Sequence, residues 1–210
     1  MESDEEMRLV LRELRLGGFN DTEVLAARTG LDAPLVAAIL DAARSRDWVA
    51  HRSGRLTGWS LTAAGRAEGE RLLSEELDAA NGRQLVTDAY RSFLPLNREF
   101  LELCTDWQLR PDGGAQTLND HLDAGYDESV IARLDALHGR LAAVVGRLSS
   151  ALPRFTAYDP RFTFALAQVH AGELDWFTKP LIDSYHTVWF ELHEDVLGTL
   201  GIERSRETSS

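Results

Sequence analysis

Near position 50 the apolar residues of this chain switch their spacing, and that switch restricts the fold more than any other feature of the sequence. Met7, Val10, Leu11 and Leu14 recur at the spacing of one helical face, and so do Val36, Ile39, Leu40 and Ala43. Trp48-Val49-Ala50-His51-Arg52 and Trp59-Ser60-Leu61 instead show period two, and they flank Ser53-Gly54-Arg55-Leu56-Thr57-Gly58. A helical face cannot be built on period two, so two strands and a hairpin loop are expected there, set between helices.

Punctuation residues divide the helical stretches. Gly17-Gly18 ends the first. Asn20-Asp21-Thr22-Glu23 fits a capping box, with Asn20 as the cap and a glutamate three residues on. The second helix stops at Gly30, and Asp32 with Pro34 starts the third. Thr62 then caps a long helix from Ala63 to Ala80. Two short helices around a tight glycine turn, then a hairpin and a further helix, are the element order of a winged helix-turn-helix over residues 1–82. Residues 59–73, WSLTAAGRAEGERLL, resemble the wing and following helix of MarR-like and PadR-like bacterial regulators, in which an LTxxGR pattern recurs. The resemblance covers about 80 residues and implies DNA binding.

In that fold the third helix enters the major groove and the wing touches the backbone or minor groove. Its outward face is expected to carry Pro34, Ala37, Ala38, Asp41, Arg44 and Ser45. Ala37 can meet thymine methyls and Asp41 can accept from cytosine, but neither donates a hydrogen bond to a base edge. Arg44, Arg46, Arg52 and Arg55 are the expected phosphate contacts. The formal net charge of −12 argues against a chain that coats nucleic acid by bulk attraction. Its distribution is uneven: residues 44–66 hold five arginines against Asp47 alone, a local +4. The same arginines would be an ordinary solvated surface if the domain only contacted protein.

Residues 83–210 read as helices throughout, so the fold class is mainly α: a winged helix-turn-helix followed by an antiparallel helical bundle. Pro95 is expected to kink or split the first of these helices, and Pro111 with Asp112-Gly113-Gly114 to end it. The next, from near Asp127, carries Val130, Leu134, Leu137, Leu141, Val144 and Leu148, a seam that serves either as bundle core or as a homodimer contact. Asp159 is expected to cap a shorter helix, and the last is expected to begin near Pro180. Asn97, Trp107, Trp176, Tyr185, His186, Trp189 and His193 could line a small-molecule pocket of aromatic walls and a few polar groups. The alternative is a packed core whose Trp, Tyr and His satisfy their polar ends at its margin. The connector from Pro111 to Tyr126, with Asn119, Asp120 and His121, is long enough for a lid or a contact surface.

Enzyme chemistry is not expected. Glu99, Glu102 and Asp106 fall on the far side of the Phe100/Trp107 face, and His186 and His193 lie about 10 Å apart along one helix, so neither set makes a metal site. Cys104 sits among apolar neighbours as inert packing, and no phosphate-binding glycine loop is present; no cofactor is implied. The absence of any apolar run near 18 residues, the acidic MESDEEM start and the single cysteine favour a cytoplasmic protein without a membrane span. Residues 93–110 and 176–201 resemble segments that accompany pyruvate phosphate dikinase-type, PEP-utilising enzymes in actinobacterial chains, which implies a partner or regulator of such an enzyme. The leading expectation is a transcriptional regulator that binds double-stranded DNA as a homodimer and senses a small-molecule effector. The alternative is an accessory module of a PEP-utilising enzyme that does not bind DNA.

Overall fold

A computed structural model describes residues 2–112 and 115–203, which are mainly helical with two small antiparallel hairpins. Among the described residues no helix is long and apolar enough to cross a membrane. The chain divides into two units, one drawn from Met1–Ala80 and His193–Ser210, the other from Asn81–Leu192.

In the first unit, α1 (Glu2–Gly17) buries Met7, Val10, Leu11 and Leu14 against α2 (Thr22–Thr29) and α3 (Ala33–Ser45). Gly30, with φ 73°, takes the left-handed conformation that closes α2, where a Cβ would be strained. Asp32 caps α3 by accepting from the Leu35 amide at 2.8 Å, with Pro34 in the first turn. Val36, Ile39, Leu40 and Ala43 point into the core, which leaves Pro34, Ala37, Ala38, Asp41, Arg44 and Ser45 exposed, as the helical spacing requires. The cap of α2 differs from expectation. Asp21, not Asn20, accepts from the Val24 amide. The Asn20 backbone instead exchanges hydrogen bonds of 3.1 and 2.8 Å with Trp59, so it cannot also begin a helix.

The hairpin pairs β1 (Val49–Arg52) with β2 (Gly58–Leu61), Val49 opposite Leu61 and Arg52 opposite Gly58. The next helix, α4 (Ala63–Ala79), starts at Thr62, whose side chain accepts from the Gly65 amide at 3.0 Å. The Trp48 carbonyl, which accepts from the Thr62 amide, lies directly over the first turn of α4. A Cβ at Gly65 would come within 1.8 Å of that oxygen. Only glycine permits the approach, which gives the glycine of the LTxxGR stretch a local packing reason.

The second unit begins with α5 (Arg83–Gln108), which runs through Pro95 without a break. Pro95 and Arg91 both face solvent, so water can satisfy the carbonyl that loses its helical partner. Where a plain connector was expected, β3 (Leu109–Asp112) pairs with β4 (Ala115–Leu118). Long α6 (Ala124–Ala151) follows, capped by Asp123, and its seam residues Val130 to Leu148 are all buried within the chain. A short 3-10 turn (Pro153–Ala157) leads into α7 (Tyr158–His170), so Asp159 lies in the first turn rather than at the cap. The one-turn α8 (Asp175–Thr178) precedes α9 (Tyr185–Leu200), which starts five residues beyond Pro180. α9 was expected to belong wholly to the bundle. Its residues from His193 onward count instead with the first unit.

Two glycines of α4 give a matched test of this packing. Gly65→Ala is expected to destabilise the protein by about 1–3 kcal/mol, because backbone atoms, not a flexible side chain, occupy the space. Gly69→Ala, whose Cβ would meet Leu11 at an ordinary 3.6 Å, is expected to be neutral or stabilising by up to about 1 kcal/mol through helix propensity. Denaturant unfolding of the two variants measures both.

Candidate functional site

The basic residues singled out by the sequence lie at the end of α3 and along the hairpin. Arg44 is exposed in the last turn of α3, where a cation suits the negative end of the helix dipole. Arg46 ends α3, and its guanidinium lies 4.9 Å from the centre of the Trp48 ring. Arg52 closes β1 and Arg55 stands in the loop, both exposed. Arg66 is exposed on α4. Ala37 and Asp41 share the solvent face of α3 with Arg44.

None of these five arginines forms an ion pair with another of the described residues. The remaining arginines of the unit's helices do. Arg8 meets Glu76 at 3.0 Å, Arg15 meets Glu70 at 2.6 Å, Arg28 meets Glu13 at 2.7 Å, Arg71 meets Glu68 at 2.7 Å, and Arg12 binds Asp195. The acid that senses Arg46 electrostatically is Glu68. Its hydrogen bond from Arg71, reinforced by the charges of Arg71 and Arg46, holds its carboxyl below the ordinary carboxylate range. A protein of net charge −12 therefore leaves Arg44, Arg46, Arg52, Arg55 and Arg66 without an ion-pair partner among the described residues.

The expected aromatic pocket separates into several places. Asn97, Tyr185 and Trp189 pack together with Phe93, Phe100 and Phe162. The Trp189 indole N–H donates to Asn97 Oδ1 at 2.8 Å, and the Tyr185 hydroxyl lies 3.2 Å from His138 Nδ1. Burial raises the Tyr185 phenol and lowers both His138 and His186 from their ordinary values. His186 is half-buried, its ring 6.1 Å from Phe100. Trp176 meets Phe164 edge-on at 5.2 Å. His193 is buried and belongs to the first unit. Trp107 stacks on Phe177 at 4.4 Å and meets the His121 ring at a tilt, with centres 4.5 Å apart.

Two clefts open beside His121. A cleft of about 460 Å³ is lined by Trp107, Gln108, Asn119, Leu174 and Lys179. A second, of about 620 Å³, is lined by Asp127, Glu128, Ile131, Asp135, His170 and others. His121 and Leu174 border both. Volumes of this order suit a small organic ligand. His121 has φ 57° and is held by buried Asp127, whose other oxygen accepts from Asn119 at 2.8 Å. These positions were visible in the sequence only as a polar connector, because their convergence depends on the second hairpin.

Among the described residues no group of three or more His, Cys, Asp or Glu side chains is disposed to hold a metal ion. Burial pushes the Cys104 thiol up to about 12, which makes it a poor nucleophile. Comparisons of the chain with protein-family models, with curated proteins and with solved structures find no match.

The Trp189–Asn97 bond can be weighed directly. Asn97→Leu is expected to cost about 1–3 kcal/mol, since it strands a buried indole donor. Adding Trp189→Phe, which removes that donor, is expected to restore part of the loss. Thermal or denaturant unfolding of the three variants reads both effects, and an additive double variant would mean that the bond contributes nothing.

Proposed function

We propose that this chain is a DNA-binding transcriptional regulator, with a winged helix-turn-helix in its first unit and a helical effector-sensing domain in its second. The observation that carries the reading is the uncovered arginine set. Arg44, Arg46, Arg52 and Arg55 are exposed and free of ion pairs among the described residues, on the two elements that face a duplex in this type of domain. An arginine left unneutralised in an acidic protein suits a polyanionic partner. The element order from α1 to α4 and the pairing of Asn20 with β2 support the winged-helix assignment.

The remaining parts of the proposal follow from how such domains work. A homodimer would let two such units read two half-sites. The seam of α6 is buried within its own unit, so the dimer contact would use another surface. The clefts around His121 are where an effector would bind, shifting the balance between two arrangements of the protein by its unequal affinity for them.

Salt dependence tests the reading. The full chain is expected to bind duplex DNA from its own upstream region with an affinity that falls steeply as salt rises. Arg44→Glu, Arg52→Glu and Arg55→Glu together are expected to abolish binding, and each single Arg→Ala change to reduce the log–log salt slope by about 1. Under the alternative, an accessory module of a PEP-utilising enzyme, the parent chain would show no such binding and the reversal would change nothing.

A further inference from the structure

The exposed face of α3 is poorly equipped to read bases. Pro34, Ala37, Ala38 and Asp41 occupy its first turns, and all are exposed. The side chains that discriminate guanine and adenine in the major groove bind bidentately, Arg or Lys by donating twice to guanine and Asn or Gln by donating to and accepting from adenine, and none stands there. Asp41 accepts only, and it brings a negative charge towards a phosphate-lined groove. Arg44 and Arg46 come after it, at the helix end, where backbone contact is the natural use.

The hairpin is equipped differently. Arg52 and Arg55 project without acidic partners among the described residues, and Leu56, beside Arg55 at the loop, is 71% exposed. Leaving a leucine so far in water costs the burial it would otherwise gain, and none of the buried core uses it. An arginine followed by an apolar side chain on a narrow two-stranded ribbon fits the minor groove. The cation follows the negative potential there, and the apolar group meets the groove floor at a base step. The floor is smooth over A·T pairs and carries the guanine 2-amino group over G·C pairs.

We infer that the duplex preference of this protein is set by Arg55 and Leu56 in the minor groove, in favour of A·T-rich DNA, while α3 positions the domain through phosphates without reading base sequence. The inference rests on the DNA-binding reading above and deepens it. Inosine·cytosine pairs separate the two grooves, since they present the minor groove of A·T and the major groove of G·C.

The test is a titration of the full chain, at fixed salt, with alternating A·T, I·C and G·C duplexes of equal length, followed by anisotropy. The A·T and I·C duplexes are expected to bind alike and about tenfold tighter than G·C, a difference of the size of one mismatched pair. Arg55→Ala and Leu56→Ser, each checked to melt with the parent, are expected to bring the three affinities together. Arg44→Ala is expected to lower all three by the same factor. I·C binding like G·C would overturn the inference by moving the reading to the major groove. Salt-dependent binding equal on all three duplexes would overturn it too, while leaving the DNA-binding reading intact. No salt-dependent binding to any duplex would remove both.

Discussion

The buried pair of Arg12 and Asp195 is the interaction on which the first unit depends. Asp195 is fully buried, and Arg12 Nε lies 3.1 Å from both of its carboxylate oxygens. The two residues are 183 positions apart, so the pair joins α1 to the far end of the chain. Around it stand Glu13, which also takes Arg28, and Arg15, which reaches Glu70 at 2.6 Å and Glu194 at 3.5 Å. A Cβ at Gly198 would come within 2.9 Å of the Arg15 side chain, so the last helix lies close over this cluster. Charges removed from water are costly unless paired, and a partner lost from such a pair leaves an uncompensated ion in the interior. The end of α9 is therefore part of the core that supports α1, and through α1 the packing of α2 and α3.

This arrangement also accounts for how an acidic protein can present a basic surface. Glu13, Glu70, Glu76, Glu194 and Asp195 are engaged by Arg8, Arg12, Arg15 and Arg28 on or beside α1. Glu68 and Glu75 are engaged by Arg71. Few acids remain near the end of α3 and the hairpin, and Asp41 and Asp47 are not paired with Arg44 or Arg46. Short-range pairing decides the local potential, because charges beyond about 10 Å are largely screened at ordinary ionic strength. Net charge alone would have suggested the opposite surface.

Much of this was legible in the sequence where local physics decides the outcome. The caps at Asp32 and Thr62, the stop at Gly30, the period-two strands and the inward face of α3 each follow from a few neighbouring residues. The departures come where distant residues compete. Asn20 is taken from its capping role by backbone pairing with Trp59, 39 positions on. Asp112, read with Gly113-Gly114 as a helix stop, is instead the last residue of β3, and the short runs LRPD and AQTL of β3 and β4 lack a clear alternation; Gly113-Gly114 lie outside the described residues. Pro95 falls on the solvent face of α5, a matter of helical phase that the residue type does not reveal. The aromatic and polar groups proposed as a pocket are divided by packing: Asn97 and Trp189 satisfy each other, while Trp107 turns to His121 on a segment that the second hairpin positions. The acids Glu191, Glu194 and Asp195 on the largely buried α9 were the available sign of buried ion pairs; Glu191 is met by Arg161, while Glu194 and Asp195 needed Arg15 and Arg12 from the other end of the chain to be understood.

A double-mutant cycle on Arg12 and Asp195, read by denaturant unfolding of the whole chain, tests this account most directly. Arg12→Met and Asp195→Leu are each expected to cost about 3–5 kcal/mol, and the double variant much less than their sum, since it removes both buried charges together. Single costs under about 1 kcal/mol that simply add would contradict it, because they would mean a solvated pair and a first unit that stands without the end of α9.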